Sequence, residues 1–141
     1  MQNESITVRD RMQSRFCQFS TDDNIFDAVE KMQKYDTSGG PVVAEDGTLI
    51  GFLSEQDCIQ QLLKASYHCE MTATVEELMQ TEVLTVHPEM NIIDLALKLT
   101  VRKPKLYPVI SSGKVVGVIS RKEVISTLLE VGRECHLLKS A

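Results

Sequence analysis

Residues 46–57 read DGTLIGFLSEQD, and residues 112–123 read SGKVVGVISRKE. Each stretch begins with a residue pair typical of a tight β-hairpin turn, Asp46-Gly47 or Ser112-Gly113. An apolar run containing a second glycine follows, and then a serine with an acid three residues later. That serine and acid have the spacing of a helix-capping box. Each stretch therefore predicts a hairpin turn, a strand and a helix start in that order.

The similarity between these stretches extends over most of the chain. At an offset of 67 residues before the turn and 66 after it, the two halves share fifteen identical residues, among them Gln13 and Gln80. The identities fall on turn glycines, a proline and apolar positions, so the chain is expected to be one unit repeated twice. The predicted division is a first repeat at 5–67, a linker at 68–74, a second repeat at 75–131 and an extension at 132–141 that prolongs the last helix or forms a dimer contact.

Each repeat predicts the order β-α-β-β-α after a short lead-in helix. Helices are indicated by capping residues and by apolar residues at helical spacing, and strands by apolar runs beside turn signals. Because a unit of about 60 residues is marginal alone, the two copies are expected to pack around an approximate twofold axis in a mixed α/β (α+β) fold. The predicted ranges are helices 8–13, 24–35, 55–67, 75–80, 91–102 and 121–131, and strands 16–19, 40–44, 49–53, 83–86, 107–110 and 115–119.

Composition excludes several classes of protein. Of the 141 residues, 43% are hydrophobic and 25% charged, as in ordinary globular domains. The net charge of −5 argues against nucleic acid or an anionic membrane as partner. There is no apolar run long enough to span a membrane and no signal-peptide pattern at the N-terminus. The four cysteines lack metal-binding spacing and are expected to be reduced thiols in a cytoplasmic protein.

The duplicated pattern resembles a tandem pair of CBS domains, the cystathionine-beta-synthase modules. The resemblance rests on VRDRM at 8–12 and VEELM at 75–79, on GPVV at 40–43 and YPVI at 107–110, and on the two stretches quoted first. It implies a pseudo-twofold arrangement with up to two ligand clefts between the repeats. It also implies a regulatory module that binds an adenine nucleotide or S-adenosylmethionine, often dimerises and is not a catalyst. No metal or resident cofactor is expected.

The family's ribose motif matches Gly51-Phe-Leu-Ser54-Glu-Gln-Asp57 in the first repeat. A carboxylate can accept hydrogen bonds from both vicinal ribose hydroxyls, and N–H groups at a helix start suit phosphate oxygens. The alternative is a plain capping box in which Asp57 serves only its own helix. In the second repeat Ser120 is retained and Glu123 replaces the aspartate, so ribose recognition there is less certain.

Positive charge gathers in the second half of the chain. Residues 1–74 hold 6 Lys or Arg against 12 Asp or Glu, whereas residues 75–141 hold 9 against 8. A phosphate group, which Arg121 can contact through two donors, is therefore expected to lie toward the cluster of Arg102, Lys103, Lys105, Arg121 and Lys122. The alternative is a solvated basic turn.

Further contacts are implied by the resemblance alone. They fall on the segments before the long helices and on the proline-containing strands, at Thr21, Gly40, Pro41, Val42, His87, Tyr107 and Pro108. Two of these positions leave alternatives open. Gly39-Gly40 admits a close ligand or caps a helix, and Tyr107 stacks on a base or belongs to the core. The alternative function for the whole chain is a structural or dimerisation module whose clefts bind nothing.

Overall fold

The computed structural model describes residues 6–69, 72–101 and 104–140. The order of elements in both halves follows the predicted repeat, and helix 55–67 has the predicted bounds. The helices are α1 Val8–Arg11, α2 Ile25–Lys34, α3 Glu55–Tyr67, α4 Val75–Leu78, α5 Ile92–Leu99 and α6 Arg121–Ser140, and the strands are β1 Gly39–Val43, β2 Leu49–Ser54, β3 Leu106–Ser111 and β4 Lys114–Ser120. Strands β1 and β2 form one two-stranded sheet and β3 and β4 another.

Helix α6 runs without a break to Ser140, so the described part of the C-terminal extension continues the last helix. The hairpin turns also agree with the sequence. Gly47 has a φ of 91°, and Ser112 and Gly113 have φ values of 52° and 78°. Positive φ at the turn is what the Asp-Gly and Ser-Gly pairs predict.

The predicted strands 16–19 and 83–86 are reduced to single parallel bridges, Phe19 with Val42 and Val86 with Val109. The Phe19 N–H donates to the Pro41 carbonyl, 3.0 Å away, and the Phe19 carbonyl accepts from Val43 N–H at 2.9 Å. The next rung of this ladder would need a backbone N–H on Pro41, which proline lacks. Pro108 stands in the same place in the second half, so neither ladder can lengthen toward the N-terminal side of its bridge residue.

The described residues divide into two compact units. The first unit comprises Arg15–Leu84 and Ser112–Val115, and the second comprises the residues up to Ser14, Thr85–Ser111 and those from Val116 onward. Each unit therefore contains the lead-in helix of the other repeat, a division that differs from the repeat boundaries in the sequence.

The buried cores explain this exchange of lead-in helices. Val75, which opens the second repeat, is fully buried in the core of the first unit with Cys17, Phe19, Ile25, Ala28, Met32, Val42, Leu53 and Cys58. Val8, which opens the first repeat, is fully buried in the core of the second unit with Val86, Ile92, Leu95, Tyr107, Val109, Ile119 and Val124.

In the second unit an ion pair adds to the attachment of α1. Two nitrogens of the Arg11 guanidinium approach the Glu130 carboxylate of α6, at 2.8 and 3.4 Å. This contact with Arg11 lowers the pKa of Glu130. Both groups are partly exposed to water, so the pair orients α1 more than it stabilises it.

The two cores place their bulk at different positions. The first unit has Phe19 beside Gly40, whereas the equivalent residues of the second unit are Val86 and Tyr107. A Cβ atom on Gly40 would lie 2.3 Å from the Cys17 carbonyl oxygen and 3.4 Å from the Phe19 ring. The large side chain is thus Phe19, a bridge residue before α2, in the first unit, and Tyr107, on β3, in the second.

We expect Gly40→Ala to destabilise the protein by about 1–3 kcal/mol, since the added methyl overpacks a closed backbone contact. Gly132→Ala in α6 is the matched control, because a Cβ there meets no atom within 4 Å. The control should be neutral or stabilising by up to about 1 kcal/mol, because alanine favours the helix. Urea unfolding measures both. Equal midpoints for Gly40→Ala and the wild type would show that the strand tolerates the methyl.

Candidate functional site

The serine and acid of the first repeat form a closed capping box at the start of α3. The Ser54 N–H and hydroxyl both donate to Asp57 Oδ2, each at 2.9 Å, and the Asp57 N–H donates to Ser54 Oγ at 3.2 Å. The other carboxylate oxygen, Oδ1, accepts a hydrogen bond from Gln80 Nε2 at 2.9 Å. Asp57 itself is half-buried. The candidate ribose acceptor is therefore ordered by its own helix and by the segment after α4.

The motif glycine is what lets Gln80 reach the carboxylate. Phe52 and Gln80 exchange two backbone hydrogen bonds of 2.8 Å, so the segment after α4 lies flat along β2. A Cβ on Gly51 would lie 2.6 Å from the Gln80 carbonyl oxygen and 2.8 Å from Met79 Sδ. A larger residue at position 51 would push this segment away and with it the Gln80 amide.

The second unit repeats the same arrangement with Glu123. Its Oε1 accepts the Ser120 N–H and hydroxyl, each at 2.6 Å, and its Oε2 accepts from Gln13 Nε2 at 2.6 Å. Gly117 again admits the lead-in segment, since a Cβ there would lie 2.7 Å from the Gln13 carbonyl oxygen. The longer side chain of Glu123 thus receives the same three donors as Asp57.

The glutamines are residues that sequence reasoning missed. Gln13 and Gln80 are identical positions of the repeat, each directly after a methionine, but the sequence alone predicts no contact of either with a carboxylate. The signal was the coincidence of a polar identity with a motif glycine. This signal predicts the contact only if β2 and the segment after α4 are known to be neighbours.

The candidate phosphate-binding residues are only partly described. Arg121 and Lys122 are exposed at the start of α6, where the Arg121 N–H donates to the Lys105 carbonyl at 2.8 Å. Lys103 lies outside the described residues. The structure therefore places Arg121 and Lys122 beside Ser120, at one helix start.

The remaining predicted residues of the first unit lie mostly in its backbone framework. Thr21 accepts the Glu76 N–H through its carbonyl, at 2.9 Å. Gly40, Pro41 and Val42 are buried in β1. The helix-cap alternative for Gly39-Gly40 is wrong, because α2 ends at Lys34 with Tyr35 as its cap and both glycines belong to β1.

In the second unit His87 is exposed, whereas Pro108 and Tyr107 are buried in β3. The Tyr107 ring belongs to the core, which is the second of the two alternatives that the sequence leaves open. In this conformation the ring is not presented for stacking on a base. Its hydroxyl is buried without a hydrogen-bond partner among the described residues. Burial raises the pKa of Tyr107, so the phenol stays neutral.

An open cavity of about 530 Å³ lies elsewhere in the first unit. It borders Val43 and Gly47, at the opposite end of the hairpin from the Gly39–Ser54 pair. The ammonium of Lys31 at its wall is bonded to the Gln18 carbonyl at 2.6 Å and stands 5.7 Å from the centre of the Phe19 ring. The cavity is therefore separate from the Asp57 carboxylate.

The cysteines and histidines of the described residues show no arrangement for metal binding. Cys17 and Cys58 are buried, and burial raises the pKa of each thiol to about 11. Cys58 donates to the Ser54 carbonyl at 3.3 Å and so belongs to the framework of the α3 start. Neither buried thiol is ionised at neutral pH, so neither has the thiolate character of a nucleophile.

Comparison with known proteins shows the same duplication of domains. The CBS domain model matches residues 8–64 and 75–130. The chain belongs to the CBS domain family and contains two such domains. A curated relative, the mitochondrial CBS domain-containing protein CBSX3 of Arabidopsis thaliana, is 26% identical over 93% of this chain and 68% of its own length.

Solved structures confirm the fold of a CBS pair. CBSX2 from Arabidopsis thaliana is 27% identical, with a TM-score of 0.77 over 92% of this chain and 98% of that chain. A second CBSX2 structure, in complex with AMP, has a TM-score of 0.75 and covers 89% and 98%. The CBS domain pair of MJ0100, in complex with 5′-methylthioadenosine and S-adenosyl-L-methionine, is 26% identical, with a TM-score of 0.70 over 88% and 99%.

Some relatives are much longer than this chain. It corresponds to 21% of the inosine-5′-monophosphate dehydrogenase of Aquifex aeolicus, at 33% identity over 74% of this chain. It also spans 42% of the MJ1225 protein of Methanocaldococcus jannaschii. In the part of the chain that the structure describes, no helix has the length and apolar character needed to cross a membrane.

Proposed function

We infer that this chain is a regulatory module that binds an adenosine-containing nucleotide, such as AMP, ADP, ATP or S-adenosylmethionine, and modulates a partner protein. The observation that carries this proposal is the ordered carboxylate at a helix start, present once in each unit as Asp57 and Glu123. Its chemistry suits a ribose diol. The complexes of CBSX2 with AMP and of MJ0100 with S-adenosyl-L-methionine support the same class of ligand.

The proposed roles divide between sugar and phosphate. Asp57 and Glu123 accept ribose hydroxyls, and Ser54 and Ser120 hold these carboxylates in place. Arg121, together with Lys122, contacts the phosphate, because a guanidinium offers two parallel donors to one anion. Backbone groups near Thr21, Pro41, Val42, His87 and Pro108 complete the contacts with the base.

The module acts through binding and not through catalysis. Ligand binding shifts the chain between conformations by no more than its difference in affinity for them. We place the protein in the cytoplasm, a reducing compartment that fits the four free cysteines. The ligand is regulatory and leaves unchanged, so no cofactor is consumed.

A second candidate function has its own observation. Both carboxylates already accept three hydrogen bonds from the described residues of their own unit. A purely structural or dimerisation module would show the same satisfied groups, with no ligand at either helix start. Nucleotide titration separates the two functions.

We expect AMP, ADP, ATP or S-adenosylmethionine to raise the melting temperature of the protein in a thermal shift assay. At a ligand concentration 100 times Kd the stabilisation is about 2.7 kcal/mol. Asp57→Ala should lose most of this shift. Asp10→Ala is the matched control, because Asp10 forms the equivalent capping box with Thr7 on α1, with an N–H bond of 2.9 Å. No shift with any adenosine compound would favour the structural module.

We expect Arg121→Glu to weaken AMP binding about tenfold or more while leaving adenosine binding nearly unchanged, because the reversed charge repels the phosphate. Isothermal titration calorimetry measures both ligands. Lys64→Glu, the same charge change on the exposed side of α3, is the control. Equal losses for AMP and adenosine would place the phosphate elsewhere.

A homodimer is part of the proposal because two helices expose apolar stripes. On α3, Ile59, Leu63 and Tyr67 repeat every four residues and are 53%, 57% and 78% exposed. On α6 the exposed leucines and isoleucine are Ile125, Leu128, Leu129, Leu137 and Leu138. Apolar faces of this kind favour association with another surface.

We expect Leu63→Arg to convert a dimer to a monomer, since a charge in the apolar stripe opposes its burial. Light scattering coupled to size-exclusion chromatography measures the mass. Gln60→Arg, on the same helix but outside the stripe, should remain dimeric. A wild-type mass near 15.8 kDa would rule out the homodimer.

A further inference from the structure

We propose that Gln80 and Gln13 compete with the ribose for the carboxylates of Asp57 and Glu123. Their side-chain amides occupy acceptor positions that the two hydroxyls of a nucleoside diol need. The inference deepens the proposed function and rests on it. It assigns these two glutamines as residues that set the affinity and the sugar selectivity of the site. Neither glutamine belongs to the Gly-Ser-Asp motif itself.

The Asp57 carboxylate can accept only a limited number of hydrogen bonds. A carboxylate offers about four acceptor positions, two on each oxygen. The capping box uses two of them, through the Ser54 N–H and hydroxyl on Asp57 Oδ2. Gln80 uses a third, on Oδ1 at 2.9 Å. One position is left, whereas a vicinal diol presents two donors, so a full diol contact requires the Gln80 amide to leave.

The local structure allows that departure. The Gln80 backbone is fixed by its two hydrogen bonds to Phe52 and by the close approach to Gly51. Its side chain, by contrast, is exposed and has three rotatable bonds. The amide can therefore swing away from Asp57 without movement of β2 or of the segment after α4. Ligand binding then exchanges one hydrogen bond to the carboxylate for two.

The repetition of the contact shows that it belongs to the duplicated unit. Gln13 donates to Glu123 at 2.6 Å, although the acid is one methylene longer than Asp57. Two carboxylates on side chains of different length receive an amide from the equivalent glutamine. A chance surface contact would not be expected to survive that change in length.

The competition also predicts that Gln80 lowers the preference of the site for ribose over 2′-deoxyribose. A 2′-deoxynucleotide has a single hydroxyl donor near the carboxylate, which the one remaining acceptor position can serve while Gln80 stays bound. Removing Gln80 should therefore help AMP much more than 2′-deoxy-AMP. A glutamine with a merely structural role would change both ligands alike.

The test compares the wild type, Gln80→Ala and the control Gln60→Ala, an exposed glutamine on α3. Isothermal titration calorimetry with AMP and 2′-deoxy-AMP gives the affinities. We expect Gln80→Ala to bind AMP roughly three- to tenfold more tightly, in line with the net contribution of one ordinary hydrogen bond. Its preference for AMP over 2′-deoxy-AMP should rise, while Gln60→Ala matches the wild type.

Nuclear magnetic resonance supplies an independent readout. The side-chain amide resonances of Gln80, identified by their loss in Gln80→Ala, should move when AMP is added to the wild type and when Asp57 is replaced by asparagine. AMP binding with Gln80→Ala equal to or weaker than the wild type would overturn the inference and leave the proposed function standing. Failure of AMP to bind any of these proteins would overturn the proposed function, and the inference with it.

Discussion

Close contact between a glycine and a neighbouring backbone organises each unit of this protein. Gly51 admits the main chain of Gln80 and the side chain of Met79, and Gly117 admits the main chain of Gln13 and the side chain of Met12. With no Cβ in the way, the lead-in segment bonds along the strand and extends the two-stranded sheet by one short edge. The lead-in helix next to it then delivers a fully buried valine to the core. The motif glycine therefore has a structural purpose before any ligand is considered.

This contact links the fold to the candidate site. The same segment that completes the core carries the glutamine that meets the carboxylate at the helix start. Neither repeat supplies all of these groups, because Val75 and Gln80 come from one repeat and Asp57 from the other. The exchange predicts that a 60-residue repeat is not self-sufficient, since alone it would lack part of its core and its sheet edge.

Much of the local structure could be predicted from the sequence, because it depends on neighbouring residues. The turns at Gly47 and Gly113, the serine caps and the bounds of α3 are local effects of this kind. The prediction of a strand at 16–19 was wrong because its next hydrogen bond would need an N–H on Pro41, which lies on the partner strand and has none. The contact between Gln80 and Asp57 could not be predicted, because it depends on which lead-in helix packs against which repeat, and both choices fit the same sequence pattern. The site's carboxylates were found by motif, whereas the orientation of Tyr107 followed from packing in three dimensions.

The large side chains occupy opposite positions in the two cores, and this difference limits how the sequence of such a chain can evolve. Phe19 with Gly40 and Val86 with Tyr107 are two solutions to filling the same volume beside a proline-bearing strand. Passing from one solution to the other requires both positions to change, since either single step leaves a void or a clash. Once duplicated halves have settled on different solutions, a segment copied from one half into the other no longer fits. The two halves are then free to diverge, and each helix start evolves under separate selection.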